Sequence, residues 1–373
     1  MTPFAILAPP RILFGRGQSA QAASAVAGFG ARPFLVHGRD GTRAAWLITA
    51  LRAAGAAVTP YACPGEPDLP GLEAALAAAR SADADCVVAL GGGAAIDLGK
   101  AVAALLPAKS RPLDHLEVVG RGLPLTEKPL PFIALPTTAG TGAEATKNAV
   151  IDVPSHRRKV SLRDDRMIAQ LAIIDPALTD QAPRAVTLAS GLDAITQVIE
   201  PYLCTRANAY TDALCRTAIP LGLAALHRLM QGEDPQARDQ MAWVSLSGGL
   251  ALANSGLGAV HGFAGAIGGA TGAAHGAICG ALLPHVLAMN VAHAPSARMD
   301  EVQHWLAQTF GAKDGIAALQ RWSHDHGLPN LAALGLQPED HPAICIAALE
   351  ASSMKANPFT PSLADLAGVL AAG

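Results

Sequence analysis

The sequence predicts an α/β region, a parallel sheet with helices on both faces, followed by an all-α region. Through the first half, short apolar runs alternate with helical segments, a pattern typical of parallel sheets. After Asp175-Pro176 the strand signal stops, and long alanine- and leucine-rich segments with helical periodicity continue to the end. We therefore predict two domains, over residues 1–182 and 183–373.

The individual elements follow from apolar runs bounded by turn residues. Loops are predicted where proline and glycine cluster, at Pro64-Gly65, at Pro70-Gly71 and over residues 122–131. In the first domain the predicted order is strand 34–36, helix 42–54, strand 58–61, helix 69–79, strand 86–90, helix 95–105 and strand 132–135. In the second domain the clearest predicted helices are 186–203, 210–230 and 235–253.

Composition limits the class of protein. With 373 residues, of which 51% are hydrophobic and 15% charged, the chain can bury two cores. A net charge of −3 provides no field that would attract nucleic acid or anionic lipid. The six cysteines form no CxxC pair, as in reduced cytosolic proteins.

Residues 1–17 do not resemble a signal peptide. Polar residues interrupt the most apolar stretch, 248–289, so no span of membrane length is predicted. We expect a soluble, cytoplasmic protein.

A glycine-rich turn follows the strand at 86–90. Gly91, Gly92 and Gly93 come directly before a helix, where backbone N–H groups and the helix dipole favour a pyrophosphate. The alternative is a plain tight turn. Asp97, near the first helical turn, is either a helix-terminus carboxylate or a ligand contact.

A second polar loop follows the strand at 132–135. Its sequence, Pro136-Thr137-Thr138-Ala139-Gly140-Thr141-Gly142, combines hydroxyls with glycines at the end of a strand, where open α/β sheets bind ligands. The alternative is a solvated turn.

Four polar residues of the second domain form a candidate metal site. Asp193 and Gln197 share one helix face, and His261 and His275 lie further along the chain. One carboxylate and two imidazoles can hold a divalent metal with a position open to substrate. The alternative is that the histidines are ordinary buried core residues.

Several of these motifs, taken in order, resemble the iron-containing alcohol dehydrogenases. The resemblance runs from about Pro10 to Pro358. It implies an N-terminal dinucleotide-binding domain facing a helical metal-binding domain across a cleft, and a homodimer. The motifs that carry it are Gly91-Gly92-Gly93-x-x-x-Asp97, Pro136 to Glu144, Gly191-Leu192-Asp193-Ala194, and Gly258 to His275 with Leu283-Pro284-His285.

The resemblance also assigns roles to residues. Cofactor-binding residues would be Gly92 and Gly93 at the pyrophosphate, and Thr137, Thr138, Thr141, Asn148 and Lys159 around the phosphates and nicotinamide ribose. Metal ligands would be Asp193, His261 and His275, three of the family's four.

Two positions depart from the family pattern. Gln197 stands where the family has its fourth ligand, a histidine, and Gly265 stands where a second histidine often lies near the reacting alcohol. A Gln carbonyl oxygen is a weaker ligand than imidazole. Two alternatives stay open: iron or zinc held with the help of Gln197, or a site with weak metal or none.

The sequence also predicts whether the nicotinamide cofactor carries a 2′-phosphate, that is, whether it is NADP or NAD. NAD-binding proteins of doubly wound type commonly carry an acidic residue after an early strand, where it contacts the adenosine ribose. In relatives of this chain that acid falls where Gly38 stands. Without the carboxylate, Arg39 or Arg43 could pair with a 2′-phosphate, so we predict NADP in preference to NAD. The alternative is that Asp40 takes over the ribose contact.

These observations predict an NAD(P)-dependent alcohol dehydrogenase or aldehyde reductase that acts by metal-assisted hydride transfer on a small alcohol or aldehyde. One alternative is a metal-free reductase of an oxo-acid, as in the maleylacetate reductases that share this fold. Another is a lyase related to the dehydroquinate synthases, and a third is a non-catalytic binding protein. The sequence does not specify the substrate.

Overall fold

The computed structural model describes residues 3–373, which divide into two compact units. The α/β unit comprises Leu7–Thr138 and Ala143–Thr179. The helical unit comprises residues 3–6, Ala139–Gly142 and Asp180–Gly373. The predicted fold class, a parallel sheet with helices followed by a mostly helical region, is confirmed.

The strands of the α/β unit are β1 (Ile12–Phe14), β2 (Pro33–His37), β3 (Thr59–Ala62), β4 (Cys86–Gly91), β5 (Phe132–Pro136), β6 (Asn148–Val153), β7 (Arg158–Arg163) and β8 (Leu171–Ile174). Six of them form one sheet in the order β1-β8-β5-β4-β2-β3, with every pair parallel. β2 pairs with β3 on one side and with β4 on the other, so the strand order reverses at β2.

Side chains alternate across this sheet and form a separate core on each face. On β2, Phe34 and Val36 join one apolar cluster, whereas Leu35 joins the other. Because side chains on both faces of the sheet are buried, the sequences of these strands are continuous apolar runs. The helices of the unit are α1 (Ala22–Ala27), α2 (Ala45–Ala53), α3 (Leu69–Ser81), α4 (Gly93–Leu105) and the short α5 (Pro112–His115).

The prediction of a loop at Pro70-Gly71 is wrong, because these residues lie in the first turn of α3. Proline is tolerated there since its missing N–H would have no partner within the helix. The Asp68 side chain accepts a 2.7 Å hydrogen bond from the Gly71 N–H and caps the helix.

An antiparallel hairpin of β6 and β7 was not predicted. A buried lysine, Lys100 on α4, holds the turn that leads into it. The Lys100 ammonium donates to the carbonyls of Ala143, Thr146 and Asn148 at 2.7–2.9 Å, and to the Thr146 hydroxyl. These bonds fix the chain between β5 and the hairpin.

The helical unit is organised around α6, whose residues from Gly191 to Leu203 are all buried. α6 packs against α7, α8 and α10, so its polar side chains face other helices and not solvent. The helices are α6 (Arg184–Leu203), α7 (Ala209–Leu229), α8 (Pro235–Asn254), α9 (Ala259–Thr271), α10 (His275–His293), α11 (Ala297–Phe310), α12 (Gly315–Asp325), α13 (His341–Glu350) and α14 (Leu363–Ala372).

Among the described residues one helix, α10, is long and apolar enough to cross a membrane by length and composition alone. Its apolar window is 67% buried within the protein, as in the core helix of a globular protein. Helices α8 and α9 meet the same test only when they are taken together, and they are bent by 98° at the break between them.

Candidate active site

Four side chains of the helical unit converge on one point. Asp193 comes from α6, His261 from α9, and His275 and Cys279 from consecutive turns of α10. Asp193 Oδ1 lies 3.5 Å from His261 Nε2 and 3.7 Å from His275 Nε2. Cys279 Sγ lies 3.6 Å from His275 Nε2, and all four atoms are within 4.8 Å of one another. The cluster was predicted except for Cys279.

Two of these atoms are buried without a hydrogen-bond partner among the described residues: Asp193 Oδ1 and His261 Nε2. Buried polar atoms are normally paired, since leaving one unpaired costs about 1–3 kcal/mol. A carboxylate oxygen and an imidazole nitrogen that face each other unpaired are suited to a shared cation.

Glu200 orients one imidazole of the cluster, and sequence reasoning missed it. Its Oε2 lies 2.7 Å from His261 Nδ1, and its Oε1 accepts a 2.7 Å bond from the Val260 N–H. Because Nδ1 donates to this carboxylate, Nε2 is the nitrogen that faces Asp193 and that can bind a cation when the imidazole is neutral. Glu200 lies seven residues after Asp193 on the same face of α6, and this helical spacing was the available signal.

The electrostatics of the cluster favour positive charge. Burial lowers the pKa of His275, but electrostatic interactions with Cys279 and Asp193 outweigh it and raise the pKa to about 9. Burial likewise lowers the pKa of His261, yet Cys279, Asp193 and Glu200 raise it well above its usual value. Burial raises the pKa of Asp193, but the two histidines hold it below its usual value.

The predicted fourth ligand, Gln197, has another partner. Its side-chain amide donates to the Thr141 carbonyl, and Thr141 belongs to the 139–142 segment of the helical unit. The neighbouring Gly142 N–H donates to Ser245 Oγ at 3.1 Å. Gln197 thus helps to fix the segment that contains Thr141.

In the α/β unit, the glycine turn lies where the strand order reverses. Gly38 follows β2 and Gly91 ends β4, and a Cβ on Gly91 would come within 3.4 Å of Gly38 N. Ligands of open α/β sheets bind at such a switch point, beyond the carboxyl ends of the strands. Gly92 is the N-cap of α4 and offers no side-chain cap, so the first N–H groups of α4, beginning with Gly93, are available for an anion.

The threonines that follow β5 lie beside this turn. The Thr137 N–H donates to the Gly91 carbonyl at 2.9 Å. A Cβ on Gly92 would lie 3.2 Å from Thr138 Oγ1, so there is little room for a side chain at Gly92. Thr137, Thr138 and Gly92 therefore form one loop surface within the α/β unit.

Residues after β2 bear on the choice of cofactor. Arg39 donates to the Pro64 carbonyl at 2.9 and 3.0 Å, and both Arg39 and Arg43 are exposed. Asp40 Oδ1 accepts bonds from the Thr42 N–H and hydroxyl at 2.9 and 2.6 Å, which lower the pKa of Asp40. The Asp40 carboxylate is thus engaged in capping the next turn.

Two further cofactor candidates lie on the hairpin. Asn148 begins β6, and Lys159 on β7 pairs with Glu66 at 2.5 Å. The Asp97 carboxylate accepts the Val150 N–H at 3.0 Å and thereby ties β6 to α4.

Comparisons with known proteins decide the family. The profile of the iron-containing alcohol dehydrogenases matches residues 9–176, and that of the C-terminal domain of the Fe-containing alcohol dehydrogenase family matches residues 187–372. The chain belongs to the iron-containing alcohol dehydrogenase family. The predicted resemblance is confirmed.

Individual relatives agree with this assignment. The chain is 35% identical to the probable alcohol dehydrogenase EutG of Salmonella typhimurium over 87% of its own length and 82% of the relative's. It is 34% identical to a lactaldehyde reductase of Escherichia coli over 77% and 76%. The crystal structure of a 1,3-propanediol oxidoreductase superposes over 100% of both chains with a TM-score of 0.90 and 28% identity.

Membership in the iron-containing alcohol dehydrogenases implies a divalent metal and an NAD-type cofactor, and the cluster fits the metal. Bonds of about 2.0–2.3 Å to a tetrahedral ion place its ligand atoms roughly 3.3–3.8 Å apart. The three measured separations of 3.5, 3.7 and 3.6 Å lie in that range. In this member of the family Gly265, on α9, offers no side chain one turn after His261.

Proposed function

We propose that the chain is an NAD(P)-dependent alcohol dehydrogenase or aldehyde reductase that uses metal-assisted hydride transfer. The observation that carries the proposal is the pair of unpartnered buried atoms, Asp193 Oδ1 and His261 Nε2, beside His275 in a member of an alcohol dehydrogenase family. A metal-free reductase would have no evident reason to keep two such atoms unpaired.

In this proposal Asp193, His261 and His275 hold the metal, and Glu200 orients His261. When bound, a divalent ion polarises the substrate oxygen, and a nicotinamide carries the hydride. Asp193 contributes negative charge that offsets part of the ion's charge. Glu200 keeps the proton of His261 on Nδ1, which leaves Nε2 free to ligate. Gly265 carries no titratable group, so the proton of the alcohol would pass through water or the ribose hydroxyls and not through a side chain at this position.

The cofactor part of the proposal rests on the switch point of the sheet. Gly92, Gly93 and the N–H groups of α4 bind the pyrophosphate, because a helix N-terminus without a side-chain cap suits an anion. Around the phosphates and ribose bind Thr137, Thr138 and Thr141, together with the hairpin residues Asn148 and Lys159.

We further propose that NADP is preferred to NAD. Gly38 places no carboxylate near the adenosine ribose, and Asp40 is occupied with Thr42. The exposed guanidinium of Arg39, anchored at the Pro64 carbonyl, is available for a 2′-phosphate.

The proposal extends to the setting of the enzyme. We propose a homodimer in the cytoplasm, acting on small alcohols or aldehydes and not on nucleic acid or membranes. The six cysteines are all free and buried, as expected in a reducing compartment.

The test is cofactor oxidation with a panel of small aldehydes and oxo-acids, before and after metal removal by a chelator. We expect aldehydes to be reduced, with activity lost on chelation and restored by metal. Reduction of oxo-acids alone, unaffected by chelation, would overturn the proposal in favour of a metal-free reductase. Turnover of no carbonyl compound in the panel would overturn the redox function.

A further inference from the structure

We propose that Cys279 is the fourth metal ligand, in place of Gln197, and that the resulting set of Asp193, His261, His275 and Cys279 favours zinc over iron. The inference deepens the metal-centre part of the proposed function. It concerns metal binding alone, so it can be tested separately from catalysis.

The first argument is position. Cys279 follows His275 by one turn of α10, so both side chains project from the same helix face. Its Sγ lies 3.6 Å from His275 Nε2 and within 4.8 Å of the ligand atoms of Asp193 and His261. A tetrahedral ion bound by three nitrogen or oxygen atoms and one sulfur requires roughly 3.3–3.8 Å between neighbouring ligand atoms, and the distance from Cys279 to His275 lies in that range.

The second argument concerns Gln197, whose amide donates to the Thr141 carbonyl. Its Cβ and Cγ pack close to Gly248, where an added Cβ would lie 3.3 Å from each. Its remaining carbonyl oxygen is a neutral, weak ligand, whereas a thiolate is charged and strong.

The third argument is the chemistry of the set. One carboxylate and one thiolate balance the charge of a divalent ion, and the thiol releases its proton to solvent when it binds. Thiolate and imidazole together suit zinc, whose structural and catalytic sites take Cys sulfur, His nitrogen and carboxylate oxygen in tetrahedral geometry. Iron(II) gains less from the soft sulfur. Expansion to five ligands leaves a position for a substrate oxygen.

The test uses the full-length chain, stripped with a chelator and reconstituted with Co²⁺, whose spectrum reports its ligands. We expect thiolate-to-cobalt charge-transfer absorption in the near ultraviolet. In Cys279→Ser this absorption should vanish, and the metal affinity should fall at least about 100-fold, beyond the 10–100-fold typical of losing a supporting residue. Cys345→Ser, at another buried cysteine of the helical unit, and Gln197→Ala should both keep the absorption.

A wild-type cobalt complex without the thiolate absorption would overturn the proposal, whatever the variants do. So would absorption that survives Cys279→Ser, or cobalt binding lost in Gln197→Ala and kept in Cys279→Ser. Anaerobic loading with equal zinc and iron(II) should yield at least about tenfold more bound zinc, and equal occupancy would refute the selectivity. Thiolate absorption in a protein that reduces no carbonyl would uphold this site and refute the proposed function. Carbonyl reduction without thiolate absorption would uphold the proposed function and refute the Cys279 site.

Discussion

At the scale of single residues, the site depends on side chains that the helices bring together from distant parts of the chain. Asp193, His261 and His275 could be predicted because each lies in a family motif. Glu200 and Cys279 could not, although each lies at helical spacing from a predicted ligand. Buried Glu and Cys residues at such spacings also occur in ordinary helix cores. Only contacts with other helices distinguish them, such as that of Glu200 with His261 on α9.

Glu200→Gln tests the orientation of His261. The substitution keeps the size of the side chain but removes the carboxylate that holds the Nδ1 proton. We expect metal affinity, measured by competition with a chelator, to fall by about 10–100-fold. Glu339→Gln, at an exposed position of the same unit, is the control. Equal affinities of Glu200→Gln and wild type would show that His261 is positioned without Glu200.

Gly38→Asp tests the cofactor preference. An added Cβ at Gly38 meets no atom within 4 Å, so the variant should fold. The new carboxylate should repel a 2′-phosphate and accept bonds from a ribose hydroxyl, which shifts kcat/KM from NADPH toward NADH. A wild-type kcat/KM for NADH that equals or exceeds that for NADPH would refute the preference. An unchanged ratio in the variant would place the ribose elsewhere.

At the scale of elements, long segments with strong periodicity were predicted, whereas the short strands β1 and β8 and the hairpin of β6 and β7 were missed. The helices at α6, α7 and α8 match their predicted ranges within two residues. β1 and β8 are only three and four residues long, too short for a pattern to distinguish them from loops. The loop predicted at Pro70 was wrong because proline is common both in turns and in the first turn of a helix.

Gly92→Val tests the N-terminus of α4 as an anion site. The new side chain would press against Thr138, whose Oγ1 lies 3.2 Å from the added Cβ, and would keep a pyrophosphate from the backbone. We expect dinucleotide affinity, measured by fluorescence titration, to fall at least about tenfold while the circular dichroism spectrum stays the same. Gly65→Val, where a Cβ meets open space, is the control. Full affinity in Gly92→Val would mean that the glycines serve only to make the turn.

At the scale of the whole molecule, the change from strands to helices along the chain predicts two units. It does not predict which unit every segment belongs to. The predicted division after residue 182 follows the end of the strand signal. In the structure, Ala139–Gly142 belongs to the helical unit although it lies in the first half of the chain. That assignment depends on contacts such as Gln197 with Thr141, which no local pattern reveals.

The pH dependence of unfolding tests a buried carboxyl of the α/β unit. Burial raises the pKa of Glu144 to about 7, against about 4.5 in the unfolded chain, while burial lowers the pKa of Lys100 only to about 8. The folded state therefore keeps a proton on Glu144 that the unfolded state releases between pH 4.5 and 7. The resulting stability is fully present below pH 4.5 and is lost as the pH rises through 7.

Glu144→Gln should remove this loss, because the amide is neutral at every pH. Relative to wild type, the variant should gain about 2–3 kcal/mol of unfolding free energy between pH 4.5 and pH 8 in urea titrations. Glu73→Gln, on the exposed side of α3, should parallel wild type. A Glu144→Gln profile parallel to wild type would show that Glu144 does not retain its proton in the folded state.

The central claim, hydride transfer to a carbonyl, is tested most directly by isotope transfer. The metal-loaded enzyme would be given NADPH deuterated at C4 of the nicotinamide together with a small aldehyde, and the product would be analysed by mass spectrometry. We predict an alcohol with one deuterium on its carbinol carbon, formed in step with cofactor oxidation and absent after chelation. An alcohol without deuterium at that carbon when either face of C4 is labelled, or cofactor oxidation without alcohol, would contradict the account.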